Sequence, residues 1–172
     1  MSNWIQQWQQ NSAIRAARLL LATSPSTAAE LGRIALDAGS SARTAWIYNG
    51  FDPADFAEFD ALPADRVDYG NGTRRYRLAF VGTLWALNAI GPLVDALLRL
   101  NETAPALVGE LELVLAGRRT AEQEAELDRL NGLPCAVVRL PFVTHAEACR
   151  LMRGADGLLL LNADRPQTNR II

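Results

Sequence analysis

The sequence predicts an α/β fold in which helices flank a parallel β-sheet. The first observation is a run of apolar residues from Leu78 to Val81 that ends at Gly82. Uninterrupted apolar runs are typical of strands that are buried on both faces of a parallel sheet. The second observation is that such runs alternate with segments of helical periodicity. This alternation indicates βαβ units with right-handed crossovers.

Composition favours a compact protein and argues against several kinds of partner. Of the 172 residues 49% are apolar, which is enough to bury a core. The net charge of −2 gives no reason to propose nucleic acid or an anionic membrane as a partner. All 17 basic residues are arginine, so any mechanism that requires a lysine of this chain is excluded.

Cysteine and histidine are too few for a disulfide framework or a metal site. Cys135 and Cys149 lie in apolar segments and are expected to be reduced, buried thiols, and His145 is the single histidine. The polar amino terminus shows no secretory signal, and no apolar run approaches the ~20 residues of a membrane span. We therefore expect a cytoplasmic protein without a metal. Trp4 and Trp8 leave a peripheral contact with a membrane interface open, although docking on another domain is the favoured interpretation.

The first part of the chain is predicted to contain two helices and two short strands. Helices are expected at residues 3–18 and 25–38, and strands at 18–23 and 44–48. Ser24 is the expected N-cap of the second helix and Gly39 its end. Residues 51–71 are rich in Asp, Pro and Ala and are interpreted as a surface connection with one helical turn at 53–59. We place a domain boundary here, with domains at 1–52 and 53–172.

The second part is predicted to alternate regularly between strands and helices. Strands are expected at 78–81, 111–116, 135–140 and 157–161, helices at 90–100, 121–130 and 146–153, and a loose segment at 101–109. The helix at 121–130 should carry a solvated acidic face, and Thr144 with Glu147 should form a capping box. In the strand order 3-2-1-4 of doubly wound folds the fourth strand lies at an edge. Its unprotected leucine run predicts self-association through Gly157–Leu161.

Several segments in register resemble glycosyltransferases of the GT-B fold, in their group-1 class (family 4). Residues 47–56 read I-Y-N-G-F-D-P-A-D-F and are similar to the linker I-x-N-G-V-D-x-x-x-F of that class. Ala22–Pro25 is similar to the strand ending that precedes this linker. Leu78–Leu84 resembles the first strand of the second Rossmann-like domain, and Leu113–Gly117 resembles its second strand. The segment 142–156 resembles the helix that follows, so the resemblance covers residues 20–162.

The resemblance implies two Rossmann-like domains facing a cleft, with a nucleotide-diphosphate sugar held mainly by the second. Basic side chains and a helix amino terminus would stabilise the leaving diphosphate, so no metal or separate cofactor is expected. Gly82 and Thr83 would offer backbone N–H groups to phosphate, and Arg118 would supply a cation. Val143 and His145 would stand at the loop that borders the nucleotide base. The full set of expected binding residues is Gly82, Thr83, Asn88, Gly117, Arg118, Val143 and His145.

Departures from the class leave other interpretations open. The class places arginine directly after the first glycine and lysine five residues later, where this chain has Thr83 and Asn88. Arg118 and Arg119 are the nearby cations that could substitute, and two solvated arginines at a helix start are an equally good interpretation. Gly82 and Thr83 could simply form a tight turn. His145 could simply be exposed beside a helix cap.

The paired-glutamate segment of the class would begin near Ile172, so catalytic residues stay unassigned. Asn162 and Asp164, which follow the fourth strand, are candidates without a visible partner. The sequence thus predicts a glycosyltransferase fragment that is inactive alone. Its parent would transfer a sugar from a nucleotide-diphosphate donor to a sugar or lipid-linked acceptor in polysaccharide biosynthesis. The alternative is a non-catalytic Rossmann-like module that binds a nucleotide or a protein partner, which the loss of the usual Arg and Lys favours.

Overall fold

The computed structural model describes residues 3–54, 56–57, 67–69 and 74–162. The chain divides into two compact units, and the division falls between Phe51 and Asp52. This division lies close to the boundary expected from the sequence. The assignment of residues 1–52 and 53–172 to the two domains of a larger protein stays a prediction.

The first unit is a two-stranded parallel sheet with two helices. Its elements are α1 (Asn3–Ala16), β1 (Leu19–Ala22), α2 (Pro25–Asp37) and β2 (Arg43–Trp46). Ser24 is the N-cap of α2, because its hydroxyl accepts a hydrogen bond from the Thr27 N–H, as predicted. Ile14 of α1 packs against Ala35 and Ala38 to form a small core.

The second unit is a four-stranded parallel sheet. Its elements are β3 (Tyr76–Val81), α3 (Gly91–Thr103), α4 (Pro105–Gly109), β4 (Leu111–Ala116), α5 (Ala121–Asp128), β5 (Ala136–Leu140), α6 (His145–Arg153) and β6 (Gly157–Leu158). The strands lie in the order β5-β4-β3-β6. Numbered within this unit, that is the predicted order 3-2-1-4, with the last strand at an edge of the described sheet.

Alternate residues of the strands face opposite layers of helices. On one face Phe80 and Leu115 pack against Val94 of α3 and Leu127 of α5. On the other face a cluster of four buried residues joins the sheet to α6, and its members are Ala79, Val114, Ala116 and Leu151. The predicted α/β fold, with helices flanking a parallel sheet, is confirmed. Among the described helices, none has both the length and the apolar character needed to cross a membrane.

Two expectations about the second unit are wrong in extent. The segment 101–109 is not loose: α3 continues to Thr103, α4 spans Pro105–Gly109, and Val108 of α4 is fully buried. Proline is well suited to the first turn of such a helix. The last strand is shorter than 157–161, since only Gly157 and Leu158 pair with β3 in regular register. The Leu159 N–H adds one further bond to the Ala79 carbonyl oxygen, at 2.8 Å.

The acidic face of α5 is not simply solvated. Glu124 forms ion pairs with Arg119 and Arg139, and Asp128 pairs with Arg139. The arginines come from the neighbouring strand-end loop and from β5, so the charges bind α5 to the sheet. Of the helical turn expected at 53–59, the described residues 54, 56 and 57 are helical, and residues 58–59 lie outside the described part.

Candidate functional site

The carboxyl ends of β3, β4 and β5 surround a cavity of ≈ 280 Å³, here called the strand-end pocket. Six of the seven residues expected from the sequence line it, namely Gly82, Thr83, Gly117, Arg118, Val143 and His145. Ligands of open α/β sheets bind at this end of the strands. Asn88 does not line the pocket. It lies in the turn before α3, where its N–H donates to the Trp85 carbonyl oxygen at 3.0 Å.

The two glycines of the pocket bring their backbones into direct contact. Gly117 has a φ of +126°, which residues with a side chain rarely adopt. A Cβ atom at Gly117 would overlap the carbonyl oxygen of Gly82. Glycine is therefore required where the chain leaves β4, and its absence of a side chain opens one wall of the pocket.

The backbone N–H groups of the first loop do not all point toward a ligand. The Gly82 N–H donates to the Ala116 carbonyl oxygen at 2.9 Å, and the Leu84 N–H donates to the Arg118 carbonyl oxygen at 2.9 Å. The expectation that Gly82 offers its N–H to phosphate is wrong, because β3 and β4 keep pairing beyond their formal ends. No acceptor for the Thr83 N–H is found among the described residues. The donor role that the sequence analysis expected of both residues therefore stays a prediction for Thr83 alone.

The neighbouring arginines have different structural roles. Arg119 is mostly buried and donates to the carbonyl oxygens of Gly117 and Leu140, at 3.0 and 2.7 Å. Its guanidinium thus joins the ends of β4 and β5. Arg118 is exposed, and its guanidinium carbon lies 5.8 Å from the ring centroid of Phe142. Of the two cations, only Arg118 lines the pocket.

Helix α6 begins at the pocket with the predicted capping box. The Glu147 N–H donates to the Thr144 hydroxyl at 3.3 Å, and the Glu147 carboxylate accepts from the Thr144 N–H at 2.8 Å. The backbone hydrogen bond from Thr144, followed by the bond from its hydroxyl, lowers the pKa of Glu147 below its ordinary value. His145, the first residue of α6, is exposed, and its Nε2 lies 3.6 Å from the Cys149 sulfur.

Helix α3, in contrast, begins in the interior. The Ile90 N–H donates to the side-chain oxygen of Gln123 at 2.8 Å, and Ile90 itself is fully buried. A side chain from α5 thus satisfies the start of α3, whose own N-cap makes no side-chain bond. No local sequence pattern indicates this contact, because its partners are 33 residues apart in the chain.

A second cavity of ≈ 480 Å³ lies beside the first, between α6 and residues Val67–Tyr69, which we call the strap. Phe142 and Val143 line both cavities. The strap is attached to the sheet by Arg77, whose Nη2 donates to the Val67 carbonyl oxygen at 2.7 Å and whose guanidinium lies 4.9 Å from the Tyr69 ring centroid. Burial raises the pKa of Tyr69, against the opposing effect of the Arg77 charge.

Sequence reasoning missed Arg77 as a structural centre. The side chain is 2% exposed and pairs with Glu112, itself 4% exposed, at 2.5 Å. Neither residue was assigned a role from the sequence, although both lie in strands that are otherwise mainly apolar. Their opposite positions in the register of β3 and β4 were the available signal. In the described part of the chain, no group of three or more His, Cys, Asp or Glu residues could hold a metal ion.

The fold of this chain resembles that of solved structures, although its sequence matches no known family. No model of a known protein family matches the chain, and no curated protein matches its sequence. Solved structures do match. A UDP-forming α,α-trehalose-phosphate synthase from Burkholderia xenovorans aligns with a TM-score of 0.65 at 14% identity, over 87% of this chain and 41% of that one. Anabaena HepE, solved in complex with UDP and glucose, aligns with a TM-score of 0.52 at 20% identity, over 88% and 41%.

The fold is Rossmann-like, as in GT-B proteins. At these identities the likeness concerns the fold alone. The chain spans 41% of the length of each of these two proteins, so their activities are not transferred to it by the alignment.

Proposed function

We propose that this chain is the nucleotide-binding part of a group-1 GT-B glycosyltransferase. In this proposal residues 1–52 are the end of the first Rossmann-like domain with its linker, and residues 53–172 belong to the donor-binding domain. The donor is a nucleotide-diphosphate sugar, which is a substrate, so no separate cofactor is required. The acceptor is a sugar or a lipid-linked sugar of cytoplasmic polysaccharide biosynthesis.

The observation that carries the proposal is the composition of the strand-end pocket. It combines a close backbone approach at Gly117, an N–H of Thr83 without an acceptor among the described residues, and the exposed cation of Arg118. A phosphate group needs donors and positive charge, and it needs backbone that it can approach closely. The structural likeness to HepE, which was solved with UDP and glucose, supports the same class of ligand.

The remaining pocket residues suit the nucleoside part of the ligand. Phe142 and Val143 provide an apolar wall, and His145 lies at the first turn of α6. The partial positive charge of a helix amino terminus also favours an anionic ligand nearby. Asn88 is left out of the proposed site because it does not reach the pocket.

Calorimetric titration with UDP and with GDP tests the proposal. We expect one of them to bind and the Arg118→Ala variant to bind it roughly tenfold to a hundredfold more weakly, because a charge-assisted contact contributes ~1.5–3 kcal/mol. Arg99→Ala is the matched control, since Arg99 is an exposed arginine that lines neither cavity. Failure of both nucleotides to bind the unmodified chain would overturn the proposal.

The second candidate is a non-catalytic Rossmann-like module that binds a protein partner. Thr83 and Asn88, which stand where the resembled class has arginine and lysine, favour it. The edge strand β6 adds a surface for such a partner, with Leu158 and Leu160 exposed. This module would bind neither UDP nor GDP, so the same titration separates the two functions.

A further inference from the structure

We propose that Arg77 is a positioning residue for the strand-end pocket, because it fastens the strap that supports the loop between β5 and α6. This inference rests on the proposed nucleotide binding. It concerns a residue that lines neither cavity and that the comparisons with known proteins do not assign.

The fastening depends on three contacts of one buried guanidinium. Nε of Arg77 binds the Glu112 carboxylate, Nη2 binds the Val67 carbonyl oxygen, and the plane lies over the Tyr69 ring. Glu112 fixes the guanidinium from the sheet side, and the other two contacts reach the strap. Arginine suits this position, because its planar fork of donors can satisfy several acceptors while stacking on an aromatic ring.

The strap in turn supports the wall that the two cavities share. Tyr69 and Val143 pack against the same buried cluster of Ala79, Val114, Ala116 and Leu151. Phe142 and Val143 face the strap in the larger cavity and the proposed ligand in the strand-end pocket. Packed interiors transmit displacement, so release of Tyr69 from the buried cluster changes the packing that also supports Val143. The position of this loop, and therefore the shape of the nucleotide pocket, depends on Arg77.

The first experiment leaves the ion pair intact and changes only the strap. Tyr69→Leu removes the ring from the guanidinium, whereas Tyr69→Phe keeps the ring and is the matched control. Hydrogen–deuterium exchange is measured for the strap amides and for β4, together with the dissociation constant for UDP or GDP, whichever binds. We expect faster exchange in the strap but not in β4. We also expect about threefold to thirtyfold weaker binding for Tyr69→Leu and no change for Tyr69→Phe.

A second variant removes the fastening itself. The double substitution Arg77→Met/Glu112→Leu replaces the ion pair by apolar side chains, which buried pairs often tolerate without loss of stability. It should loosen the strap and weaken binding as Tyr69→Leu does. Arg129→Met, which removes a surface ion-pair partner of Asp95 and Glu126, is its control.

The outcomes separate the two proposals. Faster strap exchange with unchanged nucleotide affinity, in a chain whose unmodified form binds, would overturn the positioning role alone. Unchanged strap exchange in both Tyr69→Leu and the double variant would overturn the fastening. Absence of nucleotide binding by the unmodified chain would overturn the proposed function and the positioning role with it, whatever the exchange shows.

Discussion

Arg77 and Glu112 form an ion pair at opposite positions of neighbouring strands, with 2.5 Å between Nε and the carboxylate. The pair lies on the α6 face of the sheet and is closed off from solvent in part by Tyr69. Burying a charged side chain costs several kcal/mol of free energy unless the charge is paired and hydrogen-bonded, so each member of this pair stabilises the burial of the other.

Breaking the pair from one side should therefore be more harmful than removing it entirely. Glu112→Leu leaves the Arg77 charge buried and should lower the free energy of unfolding by about 3–5 kcal/mol. The double variant Arg77→Met/Glu112→Leu should recover most of this loss. Urea denaturation measures both, and a single variant as stable as the unmodified chain would contradict the burial of the pair.

Gly117→Ala should destabilise the second unit strongly. The substitution forces a side chain into a φ of +126° and pushes the new Cβ into the Gly82 carbonyl oxygen. Backbone strain of ~1–3 kcal/mol and overpacking of ~1–3 kcal/mol add to roughly 2–6 kcal/mol. Gly132→Ala is the control, because Gly132 has a φ of +91° and no heavy atom close to the position of a Cβ. This variant should therefore show the cost of backbone strain without the cost of overpacking. Equal losses in thermal denaturation would show that the close backbone contact is unimportant.

Arg119→Met should affect stability, in contrast to the effect of Arg118→Ala on binding. The side chain of Arg119 bonds to Glu124 and to the ends of β4 and β5, so its removal leaves carbonyl oxygens without their donor. We expect a loss of about 1–3 kcal/mol in unfolding free energy. Denaturant titration of both variants tests the division of roles, which fails if Arg118→Ala proves to be the less stable one.

The capping box of α6 should make stability depend on acid pH. The folded-state pKa of Glu147 is lowered, so its contribution is present above the ordinary carboxyl pKa and disappears as the pH falls through the folded value. The stability difference between the unmodified chain and Glu147→Gln should shrink below pH ~4.5. Thr144→Ala should cost about 1 kcal/mol at pH 7, as the loss of an N-cap does. Thermal melts across this range measure the effect, and a difference that persists at acid pH would speak against the box.

Strand β6, which lies at the edge of the described sheet, should promote self-association. Leu160 is 79% exposed, whereas Leu159 packs against the main core. Leu160→Lys should therefore reduce association without disturbing the core, and Leu159→Lys should also destabilise the fold. Light scattering over a concentration series checks this. If the unmodified chain stays monomeric at high concentration, the edge is covered.

The sheet could be predicted from the sequence because its central strands β3 and β4 are largely buried on both faces, which leaves uninterrupted apolar runs at residues 78–81 and 113–116. The same signal overestimated β6, since an apolar run such as Leu158–Leu161 indicates burial but not pairing. The segment 101–109 was expected to be loose, although proline often stands in the first turn of a helix, so α4 was missed. Contacts that join distant residues, such as Arg77 with Glu112, depend on strand register and left no local trace.

Most of the residues that line the strand-end pocket could be predicted from the sequence. Which of their backbone N–H groups are available to a ligand could not. Gly82 and Thr83 were expected because ligands of parallel sheets bind at the carboxyl ends of the strands, and the other four predicted lining residues were expected from the resemblance to GT-B glycosyltransferases. Which N–H groups remain available depends on how far β3 and β4 continue to pair beyond Gly82. Asn88 was carried over from a resemblance in spacing, and the turn at Trp85 directs that part of the chain elsewhere.

The cap that Gln123 places on α3 has a consequence for the order of folding. The Ile90 N–H donates to the side-chain oxygen of Gln123, which is 33 residues further along the chain. During synthesis α3 leaves the ribosome before α5, so we expect its first turn to lack this cap until α5 has been made and docks. Native contacts of such sequence separation are formed late, because the loop must close first. The helix that begins beside the first strand is therefore expected to become fully protected only when the third helical segment of this unit docks.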